Sequence, residues 1–175
     1  ATAVNALLRQ LSTGPDCDVA LVGYRTDESG AAVAACRWGG SLTGREFVKA
    51  SELAAAPVVV EERKRRIPDP ASLSGFREEA VSFPVWYVPQ ASGTAPQVRG
   101  FQFCRELAER WLQQTSAQAA APVVLHVFAA ASSDGNPIKA IDEIRELPVS
   151  EGQPAVFQAH LCVSKMVTCN AYATN

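Results

Sequence analysis

Apolar residues recur along this chain at two spacings, and each spacing predicts a different kind of element. Val4, Leu7, Leu8 and Leu11 fall at helical intervals, so the chain opens in a helix. Gly14 and Pro15 follow in the order usual for a helix C-terminus. The mostly apolar run Val19–Arg25 has the length of a strand. The turn-rich stretch Thr26–Gly30 leads to a second strand near Val33–Trp38, and together they predict a hairpin. Gly39 and Gly40 stop it, and a short helix is expected over Ser51–Ala55, ahead of Pro57. Residues 58–66 begin apolar and turn highly charged, while residues 80–88 hold Phe83, Val85, Trp86 and Val88. Pro68, Asp69, Pro70, Ser72 and Gly75 lie between them, so 58–88 reads as a β-hairpin inserted into a single domain of 1–175.

Past a linker at 89–96, Phe101, Cys104, Ala108, Trp111 and Leu112 share one face of a long helix. Arg105, Glu106, Glu109 and Arg110 are left for solvent. The continuous apolar run Pro122–Phe128 suits a strand covered on both faces. Asn136 as N-cap with Pro137 at the first helical position starts a helix over Ile138–Leu147. Val156–Leu161 is the last clear strand, before an irregular tail at 163–175. Strands alternating with helices indicate an α/β sheet with parallel strands, because parallel pairing requires crossover connections.

Composition narrows the function classes. At 175 residues, 47% hydrophobic and 19% charged, the chain has the balance of a globular domain rather than a disordered one. A net charge of -2 supplies no field to attract nucleic acid or anionic lipid. No apolar run approaches the roughly 18 residues that span a bilayer. Neither a nucleic-acid nor a membrane partner is therefore expected. The five cysteines, Cys17, Cys36, Cys104, Cys162 and Cys169, are odd in number and scattered through apolar segments. They read as reduced packing thiols of a cytoplasmic protein. Cys162, Cys169 and His160 would need a further ligand to hold zinc.

Four segments then fall into a recognisable order: Val19-Ala20-Leu21-Val22-Gly23-Tyr24-Arg25-Thr26-Asp27; Arg37-Trp38-Gly39-Gly40; Phe83-Pro84-Val85-Trp86; and Pro122 through the Val123–Phe128 strand and the Ser132-Ser133-Asp134 loop to Leu161. With Gly93-Thr94-Ala95-Pro96, similar to a Gly-Thr-Pro loop displaced by one alanine, this order resembles a bacterial von Willebrand factor A (vWA) domain. The resemblance implies an α/β, Rossmann-like sheet of mostly parallel strands with helices on both faces, an antiparallel edge hairpin and the inserted hairpin.

The family's metal-ion-dependent adhesion site draws oxygen ligands from an Asp-x-Ser-x-Ser loop, a threonine and the aspartate of Thr-Asp-Gly, as hard cations require. Thr94 alone matches here. Phe128, Ala129 and Ala130 stand where Thr-Asp-Gly is expected, and Ala129 has no ligating atom. No metal and no other cofactor is therefore expected. The resemblance also implies that the central first strand is absent from this chain, since residue 1 already lies in the helix that follows it. An empty slot forfeits about five apolar residues at roughly 1.5–3 kcal/mol each, comparable to a typical domain's stability of about 5–15 kcal/mol. A fragment of a longer protein, a strand donated by a partner, or an internal segment from 58–88 would each account for it.

Each candidate for sharper chemistry has a plainer reading beside it. His126 and His160 sit in adjacent predicted strands and could approach as an acid–base or metal pair, but their apolar neighbours favour core histidines. Ser132, Ser133 and Asp134 precede a helix start, where free amides can bind an anion, yet ordinary helix-entry chemistry explains them equally. Glu61–Arg66 favours a solvated hairpin face over a nucleic-acid patch. Trp38, Trp86 and Trp111 suit core or interface anchors, with Trp86 and Tyr87 the best placed for an exposed patch. Phosphate loops and nucleophile elbows are missing.

The expectation is a non-enzymatic protein-interaction or scaffold domain, a subunit of a larger assembly. It would bind a protein partner, in a hetero- or homo-oligomer, through Thr94, Ser132, Ser133 and Asp134, with Trp86 and Tyr87 as a second surface. The alternatives are a small α/β enzyme using His126 or His160, and a metal-dependent adhesion domain completed by a partner chain.

Overall fold

A computed structural model describes residues 2–88, 93–115 and 120–161. The expected tail at 163–175, with Cys162 and Cys169, and residues 89–92 of the linker lie outside that range. Among the described residues the chain forms a mixed α/β structure of four α-helices and small sheets, and it divides into two compact units: Ala1–Leu21 with Cys36–Gln90, and Val22–Ala35 with Ala91–Asn175. Hydrogen bonds join the described strands two at a time.

In the first unit α1 (Thr2–Leu11) ends where the sequence predicts, with Gly14 N–H donating to the Leu11 carbonyl. The apolar run after it is broken. Asp18–Val19 (β1) pairs antiparallel with Val48–Lys49 (β4), a two-residue strand no local pattern announces. Lys49 Nζ closes the pair on the Asp18 carboxylate at 3.0 Å. The chain continues directly into α2 (Ala50–Leu53), whose Ala50 and Leu53 are fully buried. The inserted hairpin forms as expected: β5 (Val59–Pro68) and β6 (Phe76–Val85) run antiparallel through ten register pairs, from Val59↔Val85 to Pro68↔Phe76. Its charged stretch is solvated, with Arg63 on Glu61 at 2.7 Å and Lys64 on Glu78 at 3.2 Å.

The core of this unit is Leu8, Trp38, Leu42, Val48, Leu53 and Trp86. The burial of Trp86 corrects the expectation of an exposed patch. Only 1% of it is accessible, and its indole N–H donates to the Leu53 carbonyl at 2.8 Å. The cause is Asn5, itself 1% exposed on α1. Its Oδ1 accepts the backbone amides of Trp86 and Tyr87, and its Nδ2 donates to the Tyr87 carbonyl at 2.8 Å. One side chain thus satisfies three backbone groups where the hairpin leaves its ladder, which makes burial of the indole affordable. Tyr87 is half-buried beside it.

The second unit begins with β2 (Val22–Thr26), paired with β3 (Ala32–Cys36), and their turn is closed by Asp27, whose Oδ1 accepts the Ser29 and Ala31 amides. Next come α3 (Gln97–Gln114), β7 (Val123–Phe128), α4 (Ile138–Arg145) and β8 (Ala155–His160). Pro137 occupies the cap position of α4, one residue later than expected, and Asn136 Oδ1 accepts the Ile138 amide at 3.1 Å. The ladder β7–β8 is parallel, in register from Val123↔Ala155 to Phe128↔His160, with α4 as its crossover. Phe101 and Ala108 of α3 pack with Ala140, Ile141 and Ile144 of α4, Leu147 and Val156, and Cys104, Leu112 and Val124 border that cluster. The solvent side of α3 carries ion pairs of Arg99 with Glu106 and of Arg105 with Glu109 and Glu143. Among the described residues no helix is long and apolar enough to cross a membrane.

Candidate functional site

Three loops of the second unit meet at the carboxyl ends of β2 and β7, beside the start of α3. The first contribution is Thr26, the last residue of β2. Gly93 lies against it with a positive φ of 70°, and a Cβ there would stand 2.6 Å from the Thr26 carbonyl oxygen. Only glycine permits both the backbone conformation and the approach. The approach sets Thr94 beside Thr26: their hydroxyls share a hydrogen bond, and the Thr94 amide donates to Thr26 Oγ1 at 3.3 Å. The third loop follows β7. Ser133 N–H donates to the Ala95 carbonyl at 3.0 Å, and Gln97 Nε2 donates to the Ala130 carbonyl at 2.7 Å. Gln97 is 3% exposed, and nothing in the sequence singled it out.

Asp134 completes the rim. Its two carboxylate oxygens accept the amides of Val98 at 3.0 Å and Arg99 at 2.9 Å, and Ser132 Oγ donates to the same carboxylate at 2.8 Å. Pro96 precedes α3 and offers no side-chain cap, so Asp134 supplies from a distant loop the negative group that free amides at a helix start attract. Partial burial alone would raise its pKa. The Arg99 amide, the Ser132 hydroxyl and the Val98 amide outweigh that and hold it below the usual carboxylate range. The structure therefore brings together Thr94, Ser132, Ser133 and Asp134, and it gives the aspartate an internal task.

Beneath the rim lies an aromatic cluster. His126, 8% exposed, points its Nε2 at the Tyr24 hydroxyl, 2.6 Å away. The ring packs edge-on to Phe101 at 4.7 Å and stacks on Phe128 at 4.8 Å. Tyr24 reaches this position because α3 carries Gly100 opposite it, where a Cβ would come within 2.6 Å of the tyrosine ring. Burial lowers the His126 pKa to about 4 and raises that of Tyr24 to about 12, so both are neutral near pH 7. His126 Nδ1 is buried with no partner. His160 shares the face but not the contact: the Phe128 ring lies between the histidines, stacked on His160 at 4.9 Å. The two therefore form neither a metal pair nor a relay.

Among the described residues no group of three or more histidine, cysteine or acidic side chains is placed to hold a metal ion. What the rim offers is hydroxyls and backbone groups, with its carboxylate already accepting three hydrogen bonds from the chain itself. No family model, curated protein or solved structure matches this chain.

Proposed function

We propose that this chain is a non-enzymatic protein-interaction domain of vWA-like, Rossmann-like design, a subunit of a larger assembly, that meets its partner through the rim formed by Thr94, Ser132, Ser133 and Asp134. The observation that carries the reading is the commitment of Asp134. A carboxylate already accepting two helix amides and a serine hydroxyl is a poor ligand for a hydrated divalent ion and a poor general base. The nearby histidine supports the same reading, because His126 is enclosed by aromatic rings and its proton affinity is far below what chemistry near pH 7 uses. Exposed Thr94 and Ser133, on loops held to β2 and α3, present a surface that hydrogen-bonds a partner's backbone or side chains without ordering cost.

Two measurements test this. Calorimetric titration of the full chain with magnesium or manganese yields no saturable heat at micromolar concentration; a saturable heat abolished by Thr94→Ala would restore the metal site. Co-purification from the source cell retains a partner that Ser133→Arg releases while the thermal melt stays unchanged. A turnover activity lost in His126→Gln, in protein that still folds, would favour the enzyme reading instead.

A further inference from the structure

The inserted hairpin carries a strand edge whose charges are complementary to themselves. Among the described residues β5 pairs with β6 alone, so its outer edge turns alternate amides and carbonyls to solvent. The other edge of the hairpin suits pairing less, because α1 packs against β6 and Pro84 lacks the N–H a ladder needs. Along β5 the order Glu61, Glu62, Arg63, Lys64, Arg65 reverses sign about Arg63. Charge on an edge strand ordinarily repels other edges. This order accepts one, its own reverse. We propose that a second copy of this chain adds its β5 antiparallel to this one, about a two-fold axis at Arg63, and makes a continuous four-stranded sheet. The surface is separate from the rim, and either stands without the other.

Geometry and charge fix the register together. Opposed residues of an antiparallel pair share a face, so a two-fold axis perpendicular to the sheet passes through a residue and never between two. With the axis at Arg63, Glu61 lies opposite Arg65 of the second copy and Glu62 opposite its Lys64, each pair occurring twice. Moving the axis to Glu62 leaves only Glu61 opposite Arg63 and sets Glu62 against itself. Moving it to Lys64 leaves only Glu62 opposite Arg66 and sets Arg63 against Arg65. Opposite charges across a pair stabilise a sheet and like charges destabilise it, so one register is selected. The single like pair, Arg63 with its copy, is relieved by contacts already made. The Arg63 guanidinium lies 3.7 Å from the centre of the Phe83 ring on β6 and 2.7 Å from Glu61, which draws it away from the outer edge. The other cations are loosely held at home: the Lys64 side chain is 79% exposed, and Arg65 reaches Glu79 only at 4.0 Å. Beyond them Val59, 45% exposed, meets Ile67 of the second copy, an apolar pair at each end of the ladder. Affinity in such a ladder comes from main-chain hydrogen bonds more than from area, so the dimer is weaker than one of standard interface size.

Sedimentation of the full chain from about 1 µM to 1 mM should show a monomer–dimer equilibrium that added salt weakens. Two double variants read the register. Glu61→Lys with Glu62→Lys makes the edge basic, and Lys64→Glu with Arg65→Glu makes it acidic; all four residues are exposed. Each variant alone self-associates roughly tenfold or more weakly than the parent, whereas an equal mixture of the two forms a heterodimer. Under mild oxidation Arg63→Cys cross-links to its copy at the axis. Glu61→Cys does not, because its copy lies four residues along the ladder, about 13 Å away and beyond disulfide reach. A parent that stays monomeric at about 1 mM would overturn the proposal. So would double variants that self-associate like the parent, or a mixture of folded variants without heterodimer. If a double variant melts early, the cysteine variants decide: cross-linking at position 63 alone supports the axis, and equal or no cross-linking at the two positions overturns it.

Discussion

The two faces of the β7–β8 ladder carry the same kinds of side chain and meet different fates. Val124 and Val156 point into the cluster under α3 and α4, whereas Val123, Leu125 and Phe157, one residue along each strand, are between 46% and 66% exposed. Hydrophobicity alone does not decide which valine is core. The helices supplied by the connections do. Among the described residues no helix packs on the second face, and that difference separates the residues that hold the fold from those that stand in water.

The packed side of the ladder is the more sensitive to substitution. Ile144 is fully buried on α4, so Ile144→Ala should cost about 2–5 kcal/mol in urea denaturation; a loss below about 1 kcal/mol would mean the cluster is loosely filled. Next comes the buried histidine of that face. The folded-state pKa of His126 is lowered to about 4 from 6.5. Above the unfolded value both states hold it neutral and no penalty arises. As pH falls from 6.5 toward 4 the unfolded chain takes up the proton first, so stability is lost through that window, by about 3 kcal/mol in all. The loss should shrink in His126→Gln, and a pH dependence identical in both proteins would contradict the burial described. Asp134→Asn weakens the accepting group at the start of α3 and should cost about 1 kcal/mol, read as a lower denaturation midpoint with unchanged slope. The smallest effect belongs to the bare face: Leu125→Ala should change stability by no more than about 0.5 kcal/mol.

Reading the chain residue by residue succeeds where one element's own pattern suffices. The stop of α1 at Gly14, the hairpin at 58–88, the apolar face of α3 and the two late strands all follow from periodicity and turn chemistry. It falls short where a distant partner decides. Val19–Arg25 reads as one strand, but Ala20 and Leu21 interrupt it because its two ends pair with different strands, β4 and β3. Trp86 reads as a core or interface anchor well placed for an exposed patch, and it is core because Asn5, a polar residue on an apolar helix face, clamps the backbone next to it. At the rim, Thr94, Ser132, Ser133 and Asp134 are legible as a group through the resemblance. That Asp134 serves the α3 amides is not, since the capping residue lies 36 positions from Val98. The Tyr24–His126 contact is similarly hidden, although Gly100, a glycine inside a long helix pattern, marks the close approach that makes it.

Thermal melting of two single variants on neighbouring residues tests the contrast most directly. Val156→Asp places a charge in the closed face and should lower the melting temperature by many degrees, whereas Phe157→Asp, one position on, should melt close to the parent. If both variants melt equally early, the ladder has no open face, and the division between a packed side and a solvated side is wrong.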